Sequence, residues 1–239
     1  MTLIKGDGLY LGYENGAVIE DLSFNVDSGD YICIVGENGS GKSTFIKTIL
    51  ALIQPLKGTI SYLNELKSRE IGYLPQQSAI QRDFPSSVME VVLSGCLNRH
   101  RGIFGYTQKE KERAIRMLER LSMAGKRRDS YQNLSGGQQQ RVLLSRALMA
   151  TEKVILLDEP ATGLDPKASS DLYQIIRNLN GEGISVLMVT HDIHPAINDA
   201  NKILHLSQSS HYFGSRDDYF ESEMGRRFLK ETGHDEHHS

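Results

Sequence analysis

The 239-residue chain has no tryptophan, only two cysteines and six prolines, and no long apolar run. Its longest apolar stretches, such as residues 154–157 and 184–189, fall far short of the ~20 residues a bilayer-spanning helix needs. Any work at a membrane therefore requires a partner that supplies the crossing. The opening Met1-Thr-Leu-Ile-Lys-Gly-Asp7 lacks a basic segment, an apolar stretch and a small-residue cleavage site, so a cytoplasmic location is expected. Cys33 and Cys96 stand in apolar stretches without CxxC spacing, which suits small buried residues rather than a disulfide or a metal site. A net charge of -3 without a long basic run excludes the electrostatic footprint of a nucleic-acid binder. The short cluster Lys126-Arg127-Arg128 reads as a solvated loop.

What remains is an ordinary globular composition, 39% hydrophobic and 24% charged, at a length that allows one α/β domain with at most a small subdomain. Alternation through Leu9, Leu11 and Tyr13, and again through Leu22, Phe24 and Val26, predicts antiparallel strands. The run Tyr31-Ile-Cys-Ile-Val35 ends at glycine and suits a parallel strand buried on both faces. A helix is expected over residues 41–52. Further apolar runs at 71–74, 154–157, 184–189 and 203–206 alternate with helical segments, giving a layered α/β domain with an N-terminal antiparallel β-subdomain. Thr107-Gln-Lys-Glu110 fits a capping box ahead of a helix buried through Ala114, Met117, Leu118 and Leu121. Residues of about 85–150 thus form a helical subdomain within a domain spanning 1–215, and 216–239 form a C-terminal extension. Asp165-Pro166 gives an N-cap and a first-turn proline before a stripe of Leu172, Ile175, Ile176 and Leu179.

Gly36-Glu37-Asn38-Gly39-Ser40-Gly41-Lys42-Ser43 matches G-x-x-x-x-G-K-[ST], directly after one expected strand and before an expected helix. Glycines let the backbone wrap phosphates, and amide hydrogens with the helix N-terminus supply positive potential. Lys42 is expected to reach the β/γ-phosphates and Ser43 can ligate Mg²⁺; Thr44 is expected to complete the loop's nucleotide-binding set. The apolar strand 154–157 ends in Asp158, expected to partner Mg²⁺, and Glu159, a general base for the attacking water. Together these features imply nucleoside triphosphate hydrolysis, with ATP or GTP as substrate.

Leu134-Ser-Gly-Gly-Gln138 lies between those two motifs and resembles the signature of ATP-binding cassette (ABC) ATPases. Ser135, Gly136 and Gly137 open a helix that presents an anion-binding end, and Ser-x-x-Gln also fits a capping box. The resemblance implies a P-loop α/β ATPase core and a head-to-tail dimer, in which Ser135 and Gly137 of one copy close over ATP held by Lys42 and Ser43 of the other. It also implies adenine stacking by Tyr13, with Tyr10 competing, and a Mg²⁺- and water-contacting Gln76, with Gln77 as neighbour. Thr162-Gly-Leu-Asp165 would cross the dimer interface, with Asp165 also capping its helix, and His191 would be the switch histidine that hydrogen-bonds the γ-phosphate.

A single cassette without coiled-coil insertions resembles a transporter subunit, with a soluble iron–sulfur assembly ATPase as the alternative. The implied partners are an integral membrane permease, a second copy of the chain and an extracytoplasmic substrate-binding protein, placing the chain on the cytoplasmic face of the membrane. Phe84-Pro-Ser-Ser-Val-Met-Glu-Val-Val92 and His191-Asp-Ile-His194 resemble the zinc/manganese import branch; siderophore or phosphonate import is the competing cargo. The tail Gly233-His-Asp-Glu-His-His-Ser239 suits zinc-like ions by composition, or a solvated end. Residues 77–105, with Phe84, Val88, Val91, Val92, Leu93, Ile103 and Phe104, are the expected permease-facing surface.

Overall fold

A computed structural model describes residues 1–76, 85–96, 105–190, 193–207 and 210–231. Along the chain run β1 (Thr2–Tyr13), β2 (Gly16–Asp27), β3 (Tyr31–Val35), α1 (Lys42–Ile49), β4 (Lys57–Tyr62) and β5 (Gly72–Leu74). There follow α2 (Val88–Leu93), α3 (Gln108–Arg120), α4 (Gly136–Ala150), β6 (Val154–Asp158), α5 (Pro166–Gly181) and β7 (Ser185–Val189). The chain closes with α6 (Ile193–Asp199), β8 (Lys202–Leu206), β9 (His211–Ser215), α7 (Arg216–Glu221) and α8 (Glu223–Glu231). It divides into two compact units, one of Met1–Glu65 with Leu187–Ser239 and one of Leu66–Val186.

In the first unit β1 pairs antiparallel with β2 and with β4, Leu9 opposite Leu22 and Ile4 opposite both Val26 and Tyr62. The expected strands form, with Leu9, Leu11, Leu22, Phe24 and Val26 buried, but the alternation breaks at the end of β1, where Gly12 is buried and Tyr13 exposed. Phe24 meets Phe45 of α1 edge-on, ring centroids 5.1 Å apart, which fixes α1 against the β-sheet. The wholly buried β3 pairs parallel with β8, and β8 pairs antiparallel with β9. Lys202 at the start of β8 holds Asp27 and Asp30 at 2.8 Å each. The C-terminal segment folds as α7 and α8, with Tyr219 fully buried and its hydroxyl 2.7 Å from Nδ1 of the buried His205.

In the second unit β5 pairs parallel with β6, Leu74 opposite Leu157. The capping box at Thr107 and Glu110 forms, and Ala114, Leu118 and Leu121 are buried. Helix α4 is buried on most of its circumference beyond the first turn, with Val142, Leu144, Leu148 and Met149 at most 1% exposed. On α5 the buried stripe is Leu172, Tyr173, Ile176 and Leu179, so Tyr173 takes the place expected for Ile175, which is half-buried. Val88, Val92 and Leu93 of α2 are core residues; Phe84, Ile103 and Phe104 lie outside the described residues. Both cysteines are buried and neither forms a disulfide.

Candidate functional site

In the first unit, the loop between β3 and α1 is shaped by three left-handed glycines, Gly36 at φ 145°, Gly39 at 83° and Gly41 at 97°. At Gly36 the space is closed as well: a Cβ would lie 2.1 Å from the Leu206 carbonyl oxygen and 2.7 Å from Ser40 Oγ. Lys42 folds back over the loop, its ammonium donating to the carbonyls of Gly36 at 2.6 Å and Glu37 at 2.8 Å. Ser40 is 2% exposed and its Oγ has no hydrogen-bond partner among the described residues. Glu37, Asn38 and Ser43 are exposed, and Thr44 is buried in the first turn of α1. A backbone loop around a cation at the start of a helix is an arrangement that could hold an anion.

Tyr13 is 45% exposed at the end of β1, its hydroxyl accepting from Lys47 of α1 at 3.1 Å. The Lys47 ammonium, then Thr44, holds the phenol below its ordinary pKa. Tyr10 instead lies under Lys57 of β4, 5.0 Å from ring centroid to Nζ. Of the two tyrosines, Tyr13 is thus the one held beside the phosphate-loop helix.

In the second unit, the parallel register of β5 and β6 brings Gln76 and Asp158 to the same strand end, Gln76 two residues past Leu74 and Asp158 one past Leu157. Gln76 is exposed. Asp158 accepts from the Tyr73 hydroxyl at 3.4 Å, and burial, then the Asp158 charge, pushes the Tyr73 phenol up to about 12, so it stays a donor. Glu159 is 8% exposed at φ 50°, a left-handed conformation rare outside glycine. Thr162 supports it twice, donating its N–H to the Glu159 carbonyl at 3.2 Å and its hydroxyl to the Glu159 carboxylate at 3.3 Å.

Ser135 is the exposed N-cap of α4; its Oγ accepts from the Gln138 N–H while Gln138 Oε1 accepts from the Ser135 N–H. Gly136 and Gly137 keep this end slim: a Cβ on Gly137 would lie 3.0 Å from Ala168 Cβ. Asp165 caps α5 through the Ala168 N–H at 2.9 Å. His191 and Gln77 lie outside the described residues, as does the His-rich tail. Sequence reading gave no role to Tyr73 or Gln140 and did not foresee that Thr162 would support Glu159, because these roles depend on which strand and turn lie opposite them.

In the second unit, Gln76 and Asp158 at one strand end offer oxygen donors of the hard type that suits Mg²⁺. Among the described residues no three His, Cys, Asp or Glu side chains form a group that could hold a metal ion.

The ABC transporter family model matches residues 19–162. The chain belongs to this family. The manganese transport system ATP-binding protein MntB of Bacillus subtilis is 35% identical over 227 residues, covering 92% of this cassette and 89% of that protein. The zinc uptake system ATP-binding protein ZurA of Listeria monocytogenes is 33% identical over 225 residues, covering 91% and 87%. A solved inward-facing ABC transporter matches with a TM-score of 0.85 at 26% identity, covering 97% of this cassette and 90% of that chain. The cassette is therefore a nucleotide-binding, ATP-hydrolysing subunit with the P-loop α/β fold, homologous to zinc and manganese transport ATPases. ABC ATPase subunits of transporters dimerise and pair with membrane permeases. Among the described residues no helix is long and apolar enough to cross a membrane.

Proposed function

We propose that the cassette powers import of zinc or manganese through a separate permease, working as a head-to-tail dimer on the cytoplasmic face of the membrane and served by an extracytoplasmic substrate-binding protein. The cargo reading rests on one observation, likeness to manganese and zinc transport ATPases over nine-tenths of the chain. In this reading Gly36 to Thr44 cradle the phosphates of ATP, Lys42 releases its loop carbonyls to meet them, and Tyr13 stacks on adenine. Ser43, Gln76 and Asp158 hold Mg²⁺, which when bound neutralises phosphate charge. Glu159 takes the proton of the attacking water, with His191 beside the γ-phosphate. Ser135, Gly136, Gly137 and Asp165 act across the dimer, a role supported by the exposure of Ser135 at the N-terminus of a 15-residue helix. The permease meets residues 77–105.

The test is uptake of zinc and manganese by proteoliposomes holding cassette and permease. Metal accumulation that requires ATP and stops with Glu159→Gln is expected. ATP-driven uptake of a siderophore or phosphonate with no metal-ion uptake would replace the cargo.

A further inference from the structure

The three consecutive glutamines of α4 do three different things. Gln138 completes the Ser135 capping box, and Gln139 donates to the Tyr131 carbonyl at 3.2 Å. Gln140, 3% exposed, donates from Nε2 to the carbonyl oxygen of Pro160 at 2.5 Å. That carbonyl belongs to the residue directly after Glu159. Proline offers no N–H, so its carbonyl is the one backbone group by which this turn can be held there. Glu159 sits at φ 50°, a conformation that persists only where the surroundings impose it. Two neighbours do so, Thr162 from the following turn and Gln140 from the signature helix. The first turn of α4 is packed on the same segment, since a Cβ on Gly136 would lie 3.4 Å from Leu164 and one on Gly137 3.0 Å from Ala168.

Gln140 thus connects two ends of one chain that serve different nucleotides. Resting on the head-to-tail reading above, we infer that Gln140 is a positioning residue: when nucleotide held by one copy engages Ser135 of the other, α4 carries that engagement through Gln140 to Pro160 and seats Glu159 for the second nucleotide. The consequence is cooperativity between the two ATP sites that runs through a side-chain amide. Gln140 Oε1 is buried with no hydrogen-bond partner among the described residues, so the amide is held by its Pro160 bond alone and is free to follow α4.

Gln140→Met keeps length and apolar volume and removes the donor. In the full chain, the Hill coefficient for ATP hydrolysis should fall from near 2 toward 1, with affinity for a fluorescent ATP analogue within about twofold of wild type. A merely structural loss lowers melting temperature and active fraction but leaves the Hill coefficient in place, so melting is measured alongside. Gln140→Lys, which restores a donor at similar reach, should recover part of the cooperativity. The dimer reading is checked separately by light scattering of Glu159→Gln with ATP. No ATP-dependent dimer would remove that reading and this inference with it; a dimer with an unchanged Hill coefficient in Gln140→Met would overturn the inference alone.

Discussion

Between residues 36 and 41 the chain takes positive φ three times, each time at glycine, whereas Glu159 takes φ 50° with a full side chain in place. The phosphate loop is a backbone device: its shape comes from missing side chains, and the Lys42 cation is stored on its own carbonyls. The turn at 158–165 is a side-chain device, in which Thr162 and Gln140 hold a conformation the residue would not choose and Asp165 caps the helix that follows. Binding a phosphate chain needs many equivalent N–H donors, which backbone supplies. In the role proposed for Glu159, placing one base against one water needs a single carboxylate at a fixed angle.

Substitutions separate the two devices. The largest effect belongs to Glu159→Gln, which leaves the turn's shape and removes the base: turnover should fall by about 10²–10⁴-fold with ATP binding kept, read by steady-state hydrolysis and nucleotide titration. Wild-type turnover in this variant would take Glu159 out of the role. Next comes the pair Gly36→Ala and Gly39→Ala. Gly36 has both strained φ and a carbonyl 2.1 Å from the new Cβ, whereas Gly39 has strained φ and nothing within 4 Å. Chemical denaturation should show a loss of about 3 kcal/mol or more for the first and about 1–2 kcal/mol for the second. Equal losses would mean that φ alone shapes the loop.

Asp165→Ala removes the α5 cap from the side-chain device and should cost about 1 kcal/mol, seen as a shift in denaturation midpoint. The smallest effect lies in the phosphate-loop unit but away from the loop. The Lys202 ammonium, then the Thr2 hydroxyl, holds the Asp27 carboxyl below the usual carboxylate range. A carboxyl with a lowered folded pKa stabilises above its unfolded value near 4 and loses that contribution as pH falls through the folded value. Lys202→Met should therefore destabilise at pH 7 by no more than about 1 kcal/mol, and the gap to wild type should close on titrating below about pH 4. A gap that widens in acid would reverse the assigned sign.

The same contrast explains what could be read from residues alone. Gly36, Gly39, Gly41 and Lys42 announce themselves by spacing, since a backbone device is written in glycine positions. Ser135, Thr107 and Asp165 were legible because a cap satisfies neighbours within three residues. Strand β4, Lys57–Tyr62, escaped notice because its mostly exposed residues form no apolar run, and its place comes from pairing with β1 some fifty residues earlier. Tyr173 took the stripe position of Ile175 because α5 presents that side to its neighbours, which periodicity alone cannot orient. Tyr73 and Gln140 were not singled out, and the support Thr162 gives Glu159 was not foreseen, because a polar side chain declares no partner until the turn opposite it is known.

The dimer carries the account, and mixed dimers test it most directly. A Lys42→Ala chain lacks the phosphate-loop cation, and a Ser135→Arg chain blocks the signature helix. In a head-to-tail heterodimer both lesions fall in one site, leaving the other with an intact Lys42 and an intact Ser135. Occluded nucleotide counted on purified heterodimers should be one ATP per pair, with none on either parent homodimer. Heterodimers that occlude no ATP would contradict the composite site.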